Sequence, residues 1–191
     1  LYRVKNETME EPQLSAAVLD LSQLVQLTIT DLSRNVSAAD PLLHHQALRR
    51  SGWPGRIVPC FRPDAVIQVD APDWRQHIQA LGAQCGFDVT GYQRFIRALE
   101  NRRAFFKEWG ATATDQAALT AYTTRLSAAE AERIFQRALK NRATAEDAAR
   151  FCGHMAMESA RMSLDDGLVM QFHVGAFRNH NPRVSERFGL D

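Results

Sequence analysis

The chain has 191 residues, with 23 Lys and Arg against 22 Asp and Glu, a formal charge of +1. At 45% apolar and 24% charged residues, this is an ordinary globular composition with enough length to bury a sizeable core. The near-neutral balance excludes bulk attraction to nucleic acid or an anionic membrane, no apolar run approaches the roughly 18 residues of a membrane span, and residues 1–12 are too charged for the centre of a signal peptide.

Cys60, Cys85 and Cys152 lie far apart, with no CxxC and no Cys/His pair at metal-ligand spacing. They read as ordinary buried thiols in a reducing, cytoplasmic compartment. The chain starts at Leu1, not Met, and stops at Asp191 with no helix or strand closing it there, which predicts an internal portion of something longer.

Apolar runs alternate with amphipathic stretches, the pattern of repeated β/α units. Leu24 to Thr30 is rich in β-branched residues and predicts a strand, or a continuation of a helix over 14–23. Asp40-Pro41 opens a short helix through Leu48, and the turn residues Gly52, Pro54 and Gly55 lead into a strand from Arg56 to Phe61. A helix over 73–83 follows Pro72-Asp73. Tyr92, Phe95, Ile96, Leu99 and Phe106 keep helical period to Trp109-Gly110, where glycine suits a left-handed cap. Ala111 to Thr114 predicts a short strand, with a further helix from Asp115.

Ser127-Ala-Ala-Glu130 and Thr144-Ala-Glu-Asp147 are capping boxes ahead of two apolar-periodic stretches. Asp165-Asp166-Gly167 is a turn, and Leu168 to Phe172 reads as a strand buried on both faces. Met155, Met157 and Met162 read as helix packing, Arg49-Arg50 and Arg102-Arg103 as solvated helix faces, and His44-His45 as neighbours that cannot share a helix face.

The polar residues fall in one kind of place. Asp31, Arg62, Asp115 and His173 each sit at the carboxyl end of an expected strand. Parallel β/α barrels carry their functional groups there, so the four groups would face one cavity. Each residue also has a plainer reading: Asp115 as the cap of the next helix, His173 as a core histidine on a carbonyl, and Arg62-Pro63-Asp64 as a surface turn with a local ion pair.

The segment Val169-Met-Gln-Phe-His173-Val-Gly-Ala-Phe-Arg178-Asn-His-Asn181 resembles the strand-and-loop motif of the uronate isomerases, a branch of the amidohydrolase superfamily. Val58-Pro-x-Phe-Arg62-Pro-Asp64 is similar to that family's Arg-Pro-Asp motif, and Asp40-Pro41-Leu42-Leu43-His44-His45 to its Asp-Pro-x-x-x-His segment. Gly110-Ala111 to Asp115 resembles its Gly-x-x-x-Ser/Thr-Asp-His stretch, although Gln116 stands where the family has His. The motifs keep the family's order over residues 39–191, whereas residues 1–38 match poorly and hold only Thr30-Asp31 as a counterpart of its Thr-Thr-Asp.

The resemblance implies an α/β fold, part of a (β/α)8 TIM-type barrel with helical insertions. It implies interconversion of D-glucuronate with D-fructuronate, and of D-galacturonate with D-tagaturonate, by proton transfer through an enediol. It further implies a divalent metal, zinc, on a His-x-His and an Asp that this sequence lacks, so its ligands are expected outside it. By motif position Arg62 and Arg178 are the expected anion-binding residues, and Asp115 and His173 the expected groups for proton transfer or hydroxyl orientation. The implied partner is a small hexuronate, in an enzyme that can form a homo-oligomer. Two rival readings are a metal-dependent hydrolase on the same barrel and a helical interaction module in which the strand assignments are wrong.

Overall fold

The computed structural model of the chain describes residues 31–52, 55–175 and 181–189. The strand expected over Leu24 to Thr30 and the helix over 14–23 lie outside the described residues, as does Arg178. Four strands form one sheet: β1 (Asp31–Ser37), β2 (Arg56–Arg62), β3 (Ala113–Ala118) and β4 (Val169–Val174). They lie in the spatial order β1-β2-β3-β4, and every neighbouring pair is parallel. Strand order thus follows chain order with no reversal, which is the winding of a barrel wall and not of a doubly wound sheet. The fold is α/β, part of a (β/α)8-type barrel. This sheet also removes the all-helical module as a reading.

One helix, α1 (Leu43–Arg50), returns the chain from β1 to β2. Three helices separate β2 from β3: the single turn α2 (Asp64–Ile67), then α3 (Trp74–Cys85) and α4 (Tyr92–Glu108). Two more, α5 (Ala128–Leu139) and α6 (Ala145–Asp166), lead to β4, and α7 (Pro182–Phe188) follows it. Both predicted capping boxes are made. Ser127 Oγ accepts from Glu130 N at 3.3 Å, and Ser127 N donates to the Glu130 carboxylate at 3.0 Å. Thr144 and Asp147 exchange the same two bonds at 3.1 Å each, so Asp serves here as well as Glu. The α4 terminus also follows expectation, with Gly110 at φ +90°.

The helices pack on one another through aromatic rings. Trp74 meets Phe135 edge to face at 5.2 Å, and Phe95 lies 5.3 Å from Phe135. Phe61 of β2 meets Phe106 of α4 edge to face at 5.2 Å, which joins this layer to the sheet. Met155 and Met162 are buried in the same core, as their spacing predicted.

Three sequence expectations fail for identifiable reasons. Arg102 and Arg103 are buried, not solvated. Arg102 Nε and Nη2 donate to the Ala38 and Asp40 carbonyls at 3.0 and 2.7 Å, which ties the loop after β1 to α4. Arg103, 2% exposed, grips the Asp166 carboxylate with Nε at 2.5 Å and Nη2 at 3.0 Å, and reaches Ser163 Oγ at 3.0 Å. A charge run is a solvated face only when no distant carbonyl or carboxylate is folded against it, and sequence spacing does not reveal that.

The strand expected over Ala111 to Thr114 instead runs Ala113–Ala118, and no helix starts at Asp115. Thr114, Asp115 and Gln116 are all buried within it, where strand propensity alone disfavours Asp. The strand expected to be buried on both faces is largely exposed: Val169 is 64% accessible, and Gln171, His173 and Val174 are exposed as well. Among the described residues β4 is an outer strand of the sheet, with no further strand against its free side.

Burial alone would raise the Asp166 carboxyl, but the Arg103 bonds and the Leu168 N–H outweigh it and hold Asp166 below the usual carboxylate range. Arg103→Ala is therefore expected to lower stability by about 3 kcal/mol in chemical denaturation at neutral pH. Because the Asp166 value is depressed, the Arg103 contribution should shrink as pH falls through it.

Candidate active site

In a parallel sheet wound in order, all strands end on the same side, so residues far apart in sequence meet there. Phe61 stands opposite Thr114, which sets Arg62, the last residue of β2, beside Asp115. Asp115 pairs in register with Gln171 and Ala117 with His173, so Asp115 and His173 share one face of adjacent strands. The side chains meet accordingly. Arg62 Nη1 donates to Asp115 Oδ2 at 3.3 Å, and His173 Nδ1 pairs with Asp115 Oδ1. Arg62 Nε donates to Asp64 Oδ2 at 2.8 Å.

The exposures differ in a way that separates roles. The Asp115 side chain is 2% exposed and that of His173 65%, with Arg62 between them. A buried carboxylate needs a charge partner or several donors, and Asp115 has the Arg62 guanidinium on one oxygen and the His173 ring on the other. The ring meets the carboxylate through Nδ1, so Nε2 is the ring nitrogen away from Asp115. The guanidinium carries five N–H donors, and Asp64 and Asp115 use two of them.

The sequence-predicted residues divide. Arg62, Asp115 and His173 come together, Arg178 lies outside the described residues, and Asp31 is misplaced. Asp31 opens β1 opposite Arg56, the first residue of β2, and so stands at the amino end of the sheet, away from the cluster. The plainer readings of Asp115 and His173 both fail: Asp115 lies inside a strand, and His173 is exposed against a carboxylate. The local ion pair read into Arg62-Pro63-Asp64 does form, but it is one side of the larger cluster.

Asp64 was not singled out. Besides Arg62, its Oδ1 accepts the backbone N–H of Ala117 in β3 at 3.1 Å. Burial raises its carboxyl above the usual aspartate value, against the lowering effect of Arg62 and the Ala117 N–H. The signal was present in the quoted Arg-Pro-Asp motif, but the link to Ala117, 53 positions away, was not. His154 was missed as well. Its Nδ1 accepts the Leu126 N–H at 3.2 Å and its Nε2 lies 2.8 Å from the Tyr92 hydroxyl, so it fastens the segment before α5 to α4 and α6.

On the other face of β3, a cavity of about 450 Å³ opens between the sheet and α6, lined by Asp64, Gln116, Tyr122, Ala148, Cys152 and Phe172 among others. Gln116 is buried there, and among the described residues its Oε1 has no hydrogen-bond partner. Among the described residues no group of three or more His, Cys, Asp or Glu is arranged to hold a metal ion. The Asp115 carboxylate, the best placed donor, already has both oxygens on the cationic Arg62 and on His173. The described residues do not fit a metal centre.

In-order parallel strands that gather charged and imidazole groups toward their carboxyl side mark a β/α-barrel segment. The family model described as glucuronate isomerase matches residues 1–191. A uronate isomerase of Nostoc punctiforme is 52% identical over 155 residues, covering 81% of this chain and 33% of that protein. One of Rhizorhabdus wittichii is 43% identical over 187 residues, covering 97% and 39%. The crystal structure of glucuronate isomerase from Caulobacter crescentus superposes with a TM-score of 0.81 at 36% identity, over 93% of this chain and 38% of that one. Uronate isomerase from Thermotoga maritima has the same fold, with a TM-score of 0.80 at 24% identity. The chain belongs to the glucuronate isomerase family. It spans between a third and two fifths of the length of these relatives.

Burial, with the charges of Asp70 and Asp64 nearby, pushes the Cys152 thiol up to about 11. At pH 8 only about 0.1% is thiolate, the reactive form. Alkylation by iodoacetamide, followed by mass spectrometry, should therefore be far slower at Cys152 than at a free thiol, and should accelerate on unfolding.

Proposed function

We propose that this chain supplies one side of the active site of a hexuronate isomerase, with residues 39–191 as the central portion of its barrel. Its reaction is the interconversion of D-glucuronate with D-fructuronate and of D-galacturonate with D-tagaturonate. The observation that carries the reading is the Arg62–Asp115–His173 cluster at the strand ends, in a chain of this family.

Isomerisation removes the proton on C2 and returns a proton to C1, while the O2 hydroxyl proton passes to O1. The intermediate enediolate carries charge that fixed donors must meet. The substrate also carries a carboxylate at C6, which a planar guanidinium binds better than an ammonium. Arg62, held in place by two carboxylates yet with N–H donors to spare, is the anion-binding group, and Arg178 is its proposed companion by motif position. His173 Nε2 moves a proton, while Asp115 fixes the ring through Nδ1 and balances the imidazolium when it forms.

The implied divalent metal, proposed as zinc, would have its ligands elsewhere in the whole enzyme, and no step of this cluster is routed through it. Cysteines kept as thiols, Cys60 buried and Cys85 and Cys152 half-buried, support a cytoplasmic setting. Among the described residues no helix is long and apolar enough to cross a membrane.

The test is ketose formation from D-glucuronate and D-galacturonate by the whole enzyme with a divalent metal. Arg62→Ala should lower kcat/KM by about a hundredfold, the loss of one charge-assisted pair of roughly 1.5–3 kcal/mol. Arg62→Lys should recover little of it, since an ammonium cannot present the fork. Wild-type turnover in Arg62→Lys would remove the bidentate argument. No conversion of either sugar by folded, metal-loaded enzyme would favour a hydrolase on the same barrel.

A further inference from the structure

The seam between β2 and β3 is the thin place in this sheet. Strands β1 and β2 are in register over seven residue pairs and β3 and β4 over six, but β2 and β3 over the single pair Phe61 and Thr114. Parallel strands normally share an evenly spaced ladder of backbone bonds. Beyond Thr114 that ladder is replaced by a side chain. The Asp64 carboxylate, two residues past the end of β2, takes the Ala117 N–H of β3 at 3.1 Å on Oδ1 and 3.4 Å on Oδ2. The same carboxylate takes Arg62 Nε at 2.8 Å. Arg62 Nη1 then reaches Asp115, two residues before Ala117, and closes a ring of contacts across the seam.

We infer that Asp64 is a positioning residue: its carboxylate spans the β2–β3 seam and sets the plane of the Arg62 guanidinium for the substrate anion. This rests on the hexuronate reading given above. Two tasks meet in one group, and they are chemically separable. The Ala117 N–H needs only an acceptor oxygen, which Asp or Asn provides. The hold on Arg62 draws on the negative charge, because an ionised carboxylate attracts a guanidinium more strongly than a neutral amide or acid oxygen does. Half-buried, Asp64 also rises above the usual aspartate range, so it takes up a proton at higher pH than an ordinary aspartate, which loosens Arg62. The neutral form is the one burial favours, so protonation of Asp64 adds to fold stability as pH falls. Loss of substrate affinity and loss of fold therefore part company on the acid side.

The experiment uses the whole enzyme with Asp64→Asn, Asp64→Glu and Asp64→Ala, and three readouts. These are amide hydrogen exchange at Ala117, the 15N-labelled Arg62 Nε–H resonance, and kcat and KM for D-glucuronate across pH. In Asp64→Asn, Ala117 protection should stay within a few-fold of wild type. The Arg62 Nε–H signal should shift and exchange faster, and KM should rise about tenfold with kcat changed less. The acid limb of kcat/KM should move to lower pH, and Asp64→Glu should restore part of the affinity. Asp64→Ala should lose the Ala117 protection too. Wild-type KM, pH profile and Arg62 signal in Asp64→Asn would overturn the inference, as would unchanged Ala117 protection in Asp64→Ala. If the wild-type enzyme converts no hexuronate, the functional reading fails by itself. The exchange and resonance arms then still decide what Asp64 holds.

Discussion

The in-order parallel sheet is the constraint on which the rest of this molecule depends. Because β1 to β4 neighbour one another as they follow in the chain, their carboxyl ends open on one side. Arg62 ends β2, Asp115 lies within β3 and His173 stands one residue before the end of β4, so they need only stand at matching heights to meet. The register achieves this through the Phe61–Thr114 and Ala117–His173 pairings. Chemistry collected from three strands is thereby held on rigid elements and not on loops.

The buried carboxylate of Asp115 dictates the composition of its surroundings. An unpaired charge at that depth would be costly, so the fold answers it with a guanidinium on one oxygen and an imidazole on the other. The partners are thereby oriented: Arg62 keeps spare donors, and His173 presents its second nitrogen from an exposed position. A residue of low strand propensity is tolerated in β3 because these partners compensate it. The same device recurs in the structural core, where Arg102 and Arg103 of α4 are buried on carbonyls and a carboxylate that come from other elements.

Much of this was legible in the sequence, and the parts that were not share a cause. Local chemistry was read well: the caps at Ser127 and Thr144, the glycine after α4 and the strand of Arg56 to Phe61 depend on neighbours a few positions apart. Arg62 and His173 were visible as strand-end groups because barrel winding converts position along a strand into position in space, whereas Asp115, expected at a strand end, lies within β3. What failed needed partners more than 50 residues away. Arg103 looked solvated because Asp166 is 63 positions off, and Asp64 looked like a turn residue because Ala117 is 53 positions off. Asp31 failed differently: the strand begins with it instead of ending there, which inverts the end of the sheet it occupies.

The proposed role of the Arg62–Asp115–His173 cluster is to receive the hexuronate. It is tested most directly by a crystal structure of the whole enzyme with L-gulonate, the reduced form of D-glucuronate, which keeps the carboxylate but has no carbonyl to isomerise. The ligand should lie at the mouth of β2, β3 and β4, with an anionic or hydroxyl oxygen on the Arg62 guanidinium and a hydroxyl within hydrogen-bond distance of His173 Nε2. A ligand bound elsewhere in the barrel, with Arg62 and His173 making only the contacts they make with Asp64 and Asp115, would contradict it.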